Sequence, residues 1–262
     1  MGLQKSIITL SAIAGAIYLA FGLLLFINQQ EMLYHPDERS FYECNAFEGF
    51  EKINPEDTRA YYRQGESEHI IIHYHGNAGS ACDRSYMIPI LDVSDASLLF
   101  VEYSGYAGDD QKPSEELILD DARHIHRFVQ ESGYKDITVY GESLGSGPAS
   151  FHASLGGIDD LILVTPFTSL TDAAQELYPL YPASVLVHER YDNIGWLGDY
   201  QGRILIIHGE EDQVISPALS QKLYASIPSD DKEYALIEGK GHNELLLSPL
   251  LADTIKEHIR GK

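Results

Sequence analysis

The chain opens on one long uncharged run and then alternates short apolar blocks with amphipathic stretches. Residues 6–27 are rich in Ile, Leu, Ala and Phe and carry no charge. These 22 residues would rise about 33 Å as a helix, enough to cross a hydrocarbon core of about 30 Å. The run is apolar on every face, unlike a half-buried core helix. A cleaved signal peptide is the rival reading, because Ala12, Ala14 and Ala16 supply small residues. The strongly apolar stretch Phe21-Gly22-Leu23-Leu24-Leu25-Phe26-Ile27 follows them, and cleavage ahead of it would leave a greasy terminus, so an uncleaved anchor is favoured. Ala12, Ala16 and Ala20 share one face in the spacing that lets membrane helices pair.

Beyond the run, compact apolar blocks at residues 69–75, 97–103, 136–140, 161–167, 203–208 and 232–238 read as strands. Residues 58–65 form an earlier one, reached through Asn54-Pro55-Glu56-Asp57 as the link of an opening hairpin. Near-continuous apolar strands belong to a sheet covered on both faces. Helical spacing fills the gaps. Residues 114–130 place Leu117, Ile118, Ala122, Ile125 and Val129 on one stripe, with Pro113 before and Gly133 after. Residues 217–227 begin with the cap pair Ser216-Pro217, and a last helix runs to about Ile259. Alternation of this kind predicts an α/β fold with a mostly parallel, doubly wound sheet of about eight strands. Residues 168–200 break the rhythm with two prolines, several aromatics and no clear strand, and read as an inserted helical cap. The expected division is therefore a membrane anchor helix at 1–30 and an α/β domain at 31–262, with the cap inserted near 168–200.

The formal net charge of −22 argues against nucleic-acid binding and a polybasic membrane anchor, both of which need Lys/Arg patches. Lys5 and the terminal amine precede the apolar run, whereas Glu31, Asp37 and Glu38 follow it. That asymmetry places the N-terminus in the cytoplasm and the domain on the far side of the membrane. Cys44 and Cys82 form no C-x-x-C pair, which argues against zinc and dithiol redox chemistry. A disulfide between them in an oxidising space and two free thiols both remain open.

The strongest local signal is Gly141-Glu142-Ser143-Leu144-Gly145, a G-x-S-x-G pentapeptide between a strand and a helix-compatible run. A tight strand-to-helix turn lifts a serine hydroxyl out of the sheet edge, and the flanking glycines allow strand and helix to approach closely. A hydroxyl needs a base, and the base needs an acid to hold its tautomer. His242, in Gly239-Lys240-Gly241-His242-Asn243 after the last strand, is the base candidate. Asp212, in His208-Gly209-Glu210-Glu211-Asp212, is the acid candidate, with Glu210 and Glu211 as neighbours that could replace it. His75 and His208, at strand ends, read as structural. A developing oxyanion needs fixed donors. The backbone N–H of Leu144 is one, and the loop His75-Gly76-Asn77-Ala78-Gly79 offers the second through Asn77, with Gly76 the alternative.

The set His75-Gly76-Asn77-Ala78-Gly79, Tyr103-Ser104-Gly105-Tyr106, the elbow at Ser143, His208-Gly209 with Asp212, and Gly241-His242 resembles the α/β-hydrolase superfamily. Within it the chain is similar to the membrane-anchored abhydrolase-domain group, the bud-emergence-type hydrolases, whose members carry a stretch like Met32-Leu33-Tyr34-His35-Pro36 after the anchor. The resemblance spans about residues 32–260 and implies a serine hydrolase with a Ser143-Asp212-His242 triad. Relatives include lysolipid lipases and protein depalmitoylases. No N-terminal cysteine cluster of the kind palmitoylated relatives carry is present here. The expected activity is cleavage of small acyl esters or thioesters through an acyl-enzyme, with no metal or organic cofactor. A peptidase acting on short peptides and a non-catalytic membrane-bound binding protein are the competing classes. The cap aromatics Tyr178, Tyr181 and Trp196 fit an acyl-chain site or simple packing over the sheet equally well.

Overall fold

The computed structural model describes residues 2–93 and 95–261. Helix α1 (Gly2–Leu33) leads into the two-residue strand β1 (His35–Pro36), followed by β2 (Glu51–Ile53), β3 (Arg59–Arg63), β4 (His69–Tyr74) and a short β5 (Ala78–Gly79). The helical turn α2 (Ile88–Leu91), β6 (Ser97–Glu102), α3 (Glu115–Glu131), β7 (Asp136–Glu142), α4 (Ser146–Ser154) and β8 (Asp160–Val164) come next. The segment between β8 and β9, read from sequence as a cap, contributes α5 (Leu170–Leu177), α6 (Ala183–Leu186) and α7 (Asn193–Trp196). The chain closes with β9 (Arg203–Gly209), α8 (Pro217–Ser226), β10 (Lys232–Ile237), α9 (His242–Leu246) and α10 (Pro249–Arg260).

Eight strands form one sheet in the order β10-β9-β8-β7-β4-β6-β3-β2. Only β3 runs against its neighbours; the pairs from β10 across to β6 are all parallel. Strand side chains alternate between faces, and each face has its own core. Ile70, Ile72, Leu99 and Val101 pack with Ile118, Ile125 and Val129 of α3 and Ala149 of α4. Ile71, Leu98 and Phe100 face the other way, onto a core that includes Leu91 of α2 and Leu251, Ile255 and Ile259 of α10. The sequence reading of an α/β, doubly wound sheet of about eight strands is thus what the chain adopts.

Boundaries shift where local chemistry intervenes. The strand expected at 161–167 stops at Val164, because Thr165 has φ 48° and turns the backbone out of the extended region. The last helix is split, with α9 ending at Leu246 and α10 starting at Pro249, whose ring suits a first turn. Helix α3 begins where expected, its first turn capped by the Ser114 side chain accepting from Leu117 N–H. Cys44 and Cys82 are joined by a disulfide, their Cα atoms 5.9 Å apart. The cap aromatics divide between the two readings. Tyr191, Trp196 and Tyr200 pack into or against the core, while Tyr178 and Tyr181 face helix α1 across an apolar groove.

Candidate active site

The parallel strands β7, β9 and β10 deliver three loops to one edge of the sheet, and each loop brings one residue of the sequence-derived triad. Ser143 follows β7 directly and sits at φ 51°, the left-handed region that L residues avoid. The tight turn is possible because its flanks lack side chains. A Cβ on Gly145 would lie 2.2 Å from the Tyr74 carbonyl oxygen, and one on Gly141 would lie 2.4 Å from the Gly145 carbonyl oxygen. The two glycines let the elbow, helix α4 and the end of β4 close on one another.

Asp212 lies after β9 and His242 opens α9. His242 Nδ1 is 2.7 Å from Asp212 Oδ2, and His242 Nε2 is 3.1 Å from Ser143 Oγ. A carboxylate accepts, so Nδ1 carries the hydrogen and Nε2 is left to accept from the serine hydroxyl. Asp212 is fixed by further donors. The Val214 and Ile215 N–H groups donate to Oδ1 at 2.8 and 2.9 Å, and His208 Nε2 stands 3.2 Å from Oδ2. Burial alone would raise this carboxyl, but the hydrogen bonds from His208, His242 and the Ile215 N–H more than offset it. They hold Asp212 well below the usual carboxylate range, so it is ionised at neutral pH. Glu210 and Glu211, the neighbouring alternatives, are exposed, and Glu210 accepts instead from the Gly239 N–H. His208, read from sequence as a structural strand-end residue, is buried and also faces the Ile215 carbonyl at 3.0 Å.

The loop between β4 and β5 separates the two oxyanion candidates. The Gly76 N–H donates to Glu142 Oε1 at 3.2 Å and is engaged. Among the described residues no acceptor meets the Asn77 N–H. Its side chain donates to the Leu33 carbonyl at the end of α1, and its own carbonyl accepts from His35 N–H and the Tyr106 hydroxyl. Those contacts fix the residue through its side chain and its carbonyl and leave its N–H unengaged among the described residues.

Sequence reasoning overlooked the ion pair beneath this loop. Glu142 is fully buried, and Arg84 Nε donates to its Oε1 at 2.5 Å. The same guanidinium donates to the Ala78 carbonyl at 3.0 Å. Glu142 and Arg84 therefore grip the loop on either side of Asn77. Burial would push the Glu142 carboxyl up, but the Arg84 guanidinium, helped by the Gly76 N–H, holds it below its ordinary value. Burial also depresses His73, to about 3, so His73 is neutral near pH 7 and Arg84 is the working counter-ion. One signal was available: a glutamate between the strand and the serine must be buried by the turn and needs a cation. Nothing in the spacing pointed to Arg84, 58 residues away.

A second buried group ties the end of helix α1 to the segment between β8 and β9. The Tyr34 hydroxyl donates to Glu189 Oε2 at 2.5 Å and lies 3.0 Å from the Tyr191 hydroxyl. Gln30 reaches Glu189 Oε1 at 3.3 Å, and Glu115 accepts from the Arg190 and Tyr191 N–H groups.

Comparison with known proteins fits this architecture. An uncharacterized protein of Mycobacterium tuberculosis is 31% identical over 205 residues, covering 76% of this chain and 72% of that one. Human ABHD12B is 26% identical over 218 residues, covering 72% and 60% of the two chains. The chain belongs to the abhydrolase-domain family of α/β hydrolases. Residues 195–247 of this abhydrolase-domain protein match the family model described as serine aminopeptidase, S33, a stretch that contains Asp212 and His242. Among solved structures, an esterase from Pyrococcus furiosus superposes with a TM-score of 0.69 at 16% identity, covering 87% of this chain and 99% of that one. That likeness carries the fold. The abhydrolase-domain protein is a hydrolase by family, and its helix α1 is long and apolar enough to cross a membrane.

Proposed function

We propose that this protein is a serine hydrolase that cleaves carboxylic esters or thioesters of acyl substrates through an acyl-enzyme. The observation that supports it is the continuous hydrogen-bonded relay from Asp212 through His242 to Ser143. Ser143 Oγ attacks the carbonyl carbon as its proton passes to His242 Nε2, and the oxygen that gains charge is met by the N–H groups of Leu144 and Asn77. His242 returns the proton to the departing alkoxide or thiolate, leaving Ser143 acylated. Water then attacks the acyl carbon, gives its proton to His242, and releases the acid and the free serine. Asp212 stays ionised and stabilises the imidazolium. A fluorophosphonate probe should label Ser143 and leave Ser143→Ala unlabelled. Asp212→Asn should retain the fold while turnover falls about 10⁴-fold. A labelled Ser143→Ala protein would refute the nucleophile.

A peptidase reading has one specific support, the aminopeptidase family model over residues 195–247. Parallel assays on acyl-ester and aminoacyl-amide reporters decide between them, and the ester reading requires the former to be turned over faster. Helix α1 serves as an uncleaved anchor in this reading, because its C-terminal end is bonded to Asn77 and, through Gln30, to the cap. The Cys44–Cys82 disulfide favours a domain on the non-cytoplasmic side, where such bonds persist. Inaccessibility of the domain to added protease in spheroplasts would refute that orientation.

A further inference from the structure

Helix α1 does not stand clear of the domain. Its second half lies along the cap, from Tyr18 to Leu33, about 22 Å of axis. The Tyr18 and Tyr181 rings stack at 4.5 Å, and their hydroxyls donate to the Leu180 and Tyr18 carbonyls at 2.7 and 3.0 Å. Gly22 is buried at the closest approach, where an added Cβ would meet the Tyr181 ring at 3.0 Å. Phe26 meets the His188 ring edge-on, and Gln29 accepts from the His188 N–H and donates to the Leu186 carbonyl. Tyr18 lies nine residues before Ile27, the end of the apolar run, after which the polar Asn28, Gln29 and Gln30 follow. Cap residues level with Tyr18 therefore stand about 14 Å inside the polar end of the span.

The cap is built for that depth. Residues 177–187, Leu-Tyr-Pro-Leu-Tyr-Pro-Ala-Ser-Val-Leu-Val, contain no charged side chain in a chain that is 22% charged. Leu177, Leu180 and Val185 are 59%, 79% and 73% exposed, an apolar surface that water would oppose and hydrocarbon would accept. Between this segment and α1 runs an apolar groove of about 250 Å³, walled by Leu25, Phe26 and Met32 on one side and Leu177, Tyr178 and Leu186 on the other. Its lining also includes Leu33, whose carbonyl is bonded to Asn77 of the proposed oxyanion loop.

We propose that the cap segment 177–187 dips into one leaflet beside α1 and that the groove between them takes an acyl chain of a bilayer lipid, leading its carbonyl toward Ser143. This rests on the hydrolase reading of Ser143 and names its substrate as a membrane lipid ester entering sideways from the bilayer. Three independent features converge on that occupant. One wall of the groove is part of the membrane-crossing run, the other is an uncharged, exposed cap tip at the same depth, and the inner wall touches the loop that would hold the oxyanion. An aqueous ligand would have no reason to be offered an entrance walled by a membrane anchor.

Two measurements on the full-length protein test it. Leu180→Trp in phosphatidylcholine vesicles with mid-chain brominated lipids should lose roughly half its added emission relative to unbrominated vesicles. No quenching would overturn the embedded cap whatever the enzyme's activity. Second, a hexadecyl fluorophosphonate bearing a terminal diazirine is reacted with the protein in unbrominated vesicles and photolysed. Adducts linking Ser143 to Leu25, Phe26, Leu177 or Tyr178 support the groove. A Ser143 adduct crosslinked only to residues elsewhere overturns the groove and leaves the hydrolase reading standing. Absence of any Ser143 adduct overturns the hydrolase reading, and the acyl-chain assignment falls with it.

Discussion

Replacing Arg84 by methionine keeps an unbranched apolar stem and removes the guanidinium that faces Glu142. The carboxylate is fully buried, and it would keep no cation, with the Gly76 N–H at 3.2 Å and the neutral His73 ring 3.9 Å away. Removing one member of a buried pair costs about 3–5 kcal/mol, because the survivor is charged and uncompensated. For a domain of this size that corresponds to a fall in Tm of about 6–20 °C. The pH dependence gives a second handle. In the wild type Glu142 sits below its ordinary pKa, so its ionisation favours the fold above the carboxylate range. Without Arg84, burial dominates and the folded-state value rises above the unfolded one, so stability is lost as pH increases. The deficit of Arg84→Met relative to wild type should therefore be larger at pH 8 than at pH 5. Adding Glu142→Gln should restore most of the loss, since the buried charge is then gone. Activity should also suffer. Arg84 and Glu142 hold the residues on either side of Asn77, and a displaced oxyanion donor costs up to about 10²–10³ in turnover. Thermal unfolding in detergent at the two pH values, with the four proteins of the double-mutant cycle, is the assay. A single variant within about 1 kcal/mol of wild type at pH 8 would refute the reasoning.

Other consequences are checked more simply. Gly145→Ala places a Cβ 2.2 Å from the Tyr74 carbonyl oxygen and 2.6 Å from that of His75, so the elbow must shift. Turnover should drop about 100-fold or more, and unchanged probe labelling would contradict the packing account. Asp121 is buried and raised to about 6 by desolvation, despite hydrogen bonds from Ser104 and Thr58. Its protonated form is favoured in the fold, so stability should decline as pH climbs from about 4 to about 6, by up to about 3 kcal/mol. Asp121→Asn should flatten that decline in thermal scans, and an identical slope in both proteins would rule it out. Reduction of the Cys44–Cys82 bond opens a loop with a separation of 38 residues. It should lower stability by about 4 kcal/mol on chain-entropy grounds. An unchanged Tm in material shown by mass spectrometry to be reduced would exclude that contribution.

The parts of the fold that could be read in advance are those with a local cause. The period of the strands, the capped start of α3 and the glycines around Ser143 each follow from neighbouring residues. The three loops at one sheet edge follow from topology once the strands are parallel. Arg84 and Glu142 lie 58 residues apart, and no periodicity joins them. The bond from Tyr34 to Glu189 spans 155 residues, and the docking of α1 on the cap was hidden for a further reason. A helix apolar on all sides carries no stripe to say which face meets protein and which meets lipid. Gly22 is buried at the closest approach, and in sequence it reads as one more small residue in a membrane span.

The backbone at Ser143 has a bearing on how such a protein changes over generations. At φ 51° a serine is held where glycine would rest without strain, a difference of about 1–3 kcal/mol. Loss of the hydroxyl by mutation to glycine is then downhill for the fold and, under the mechanism proposed above, ruinous for the chemistry. A lineage released from selection for hydrolysis should drift toward sturdier, silent copies, and the persistence of serine at that turn in a living population would itself record that the reaction is still being used.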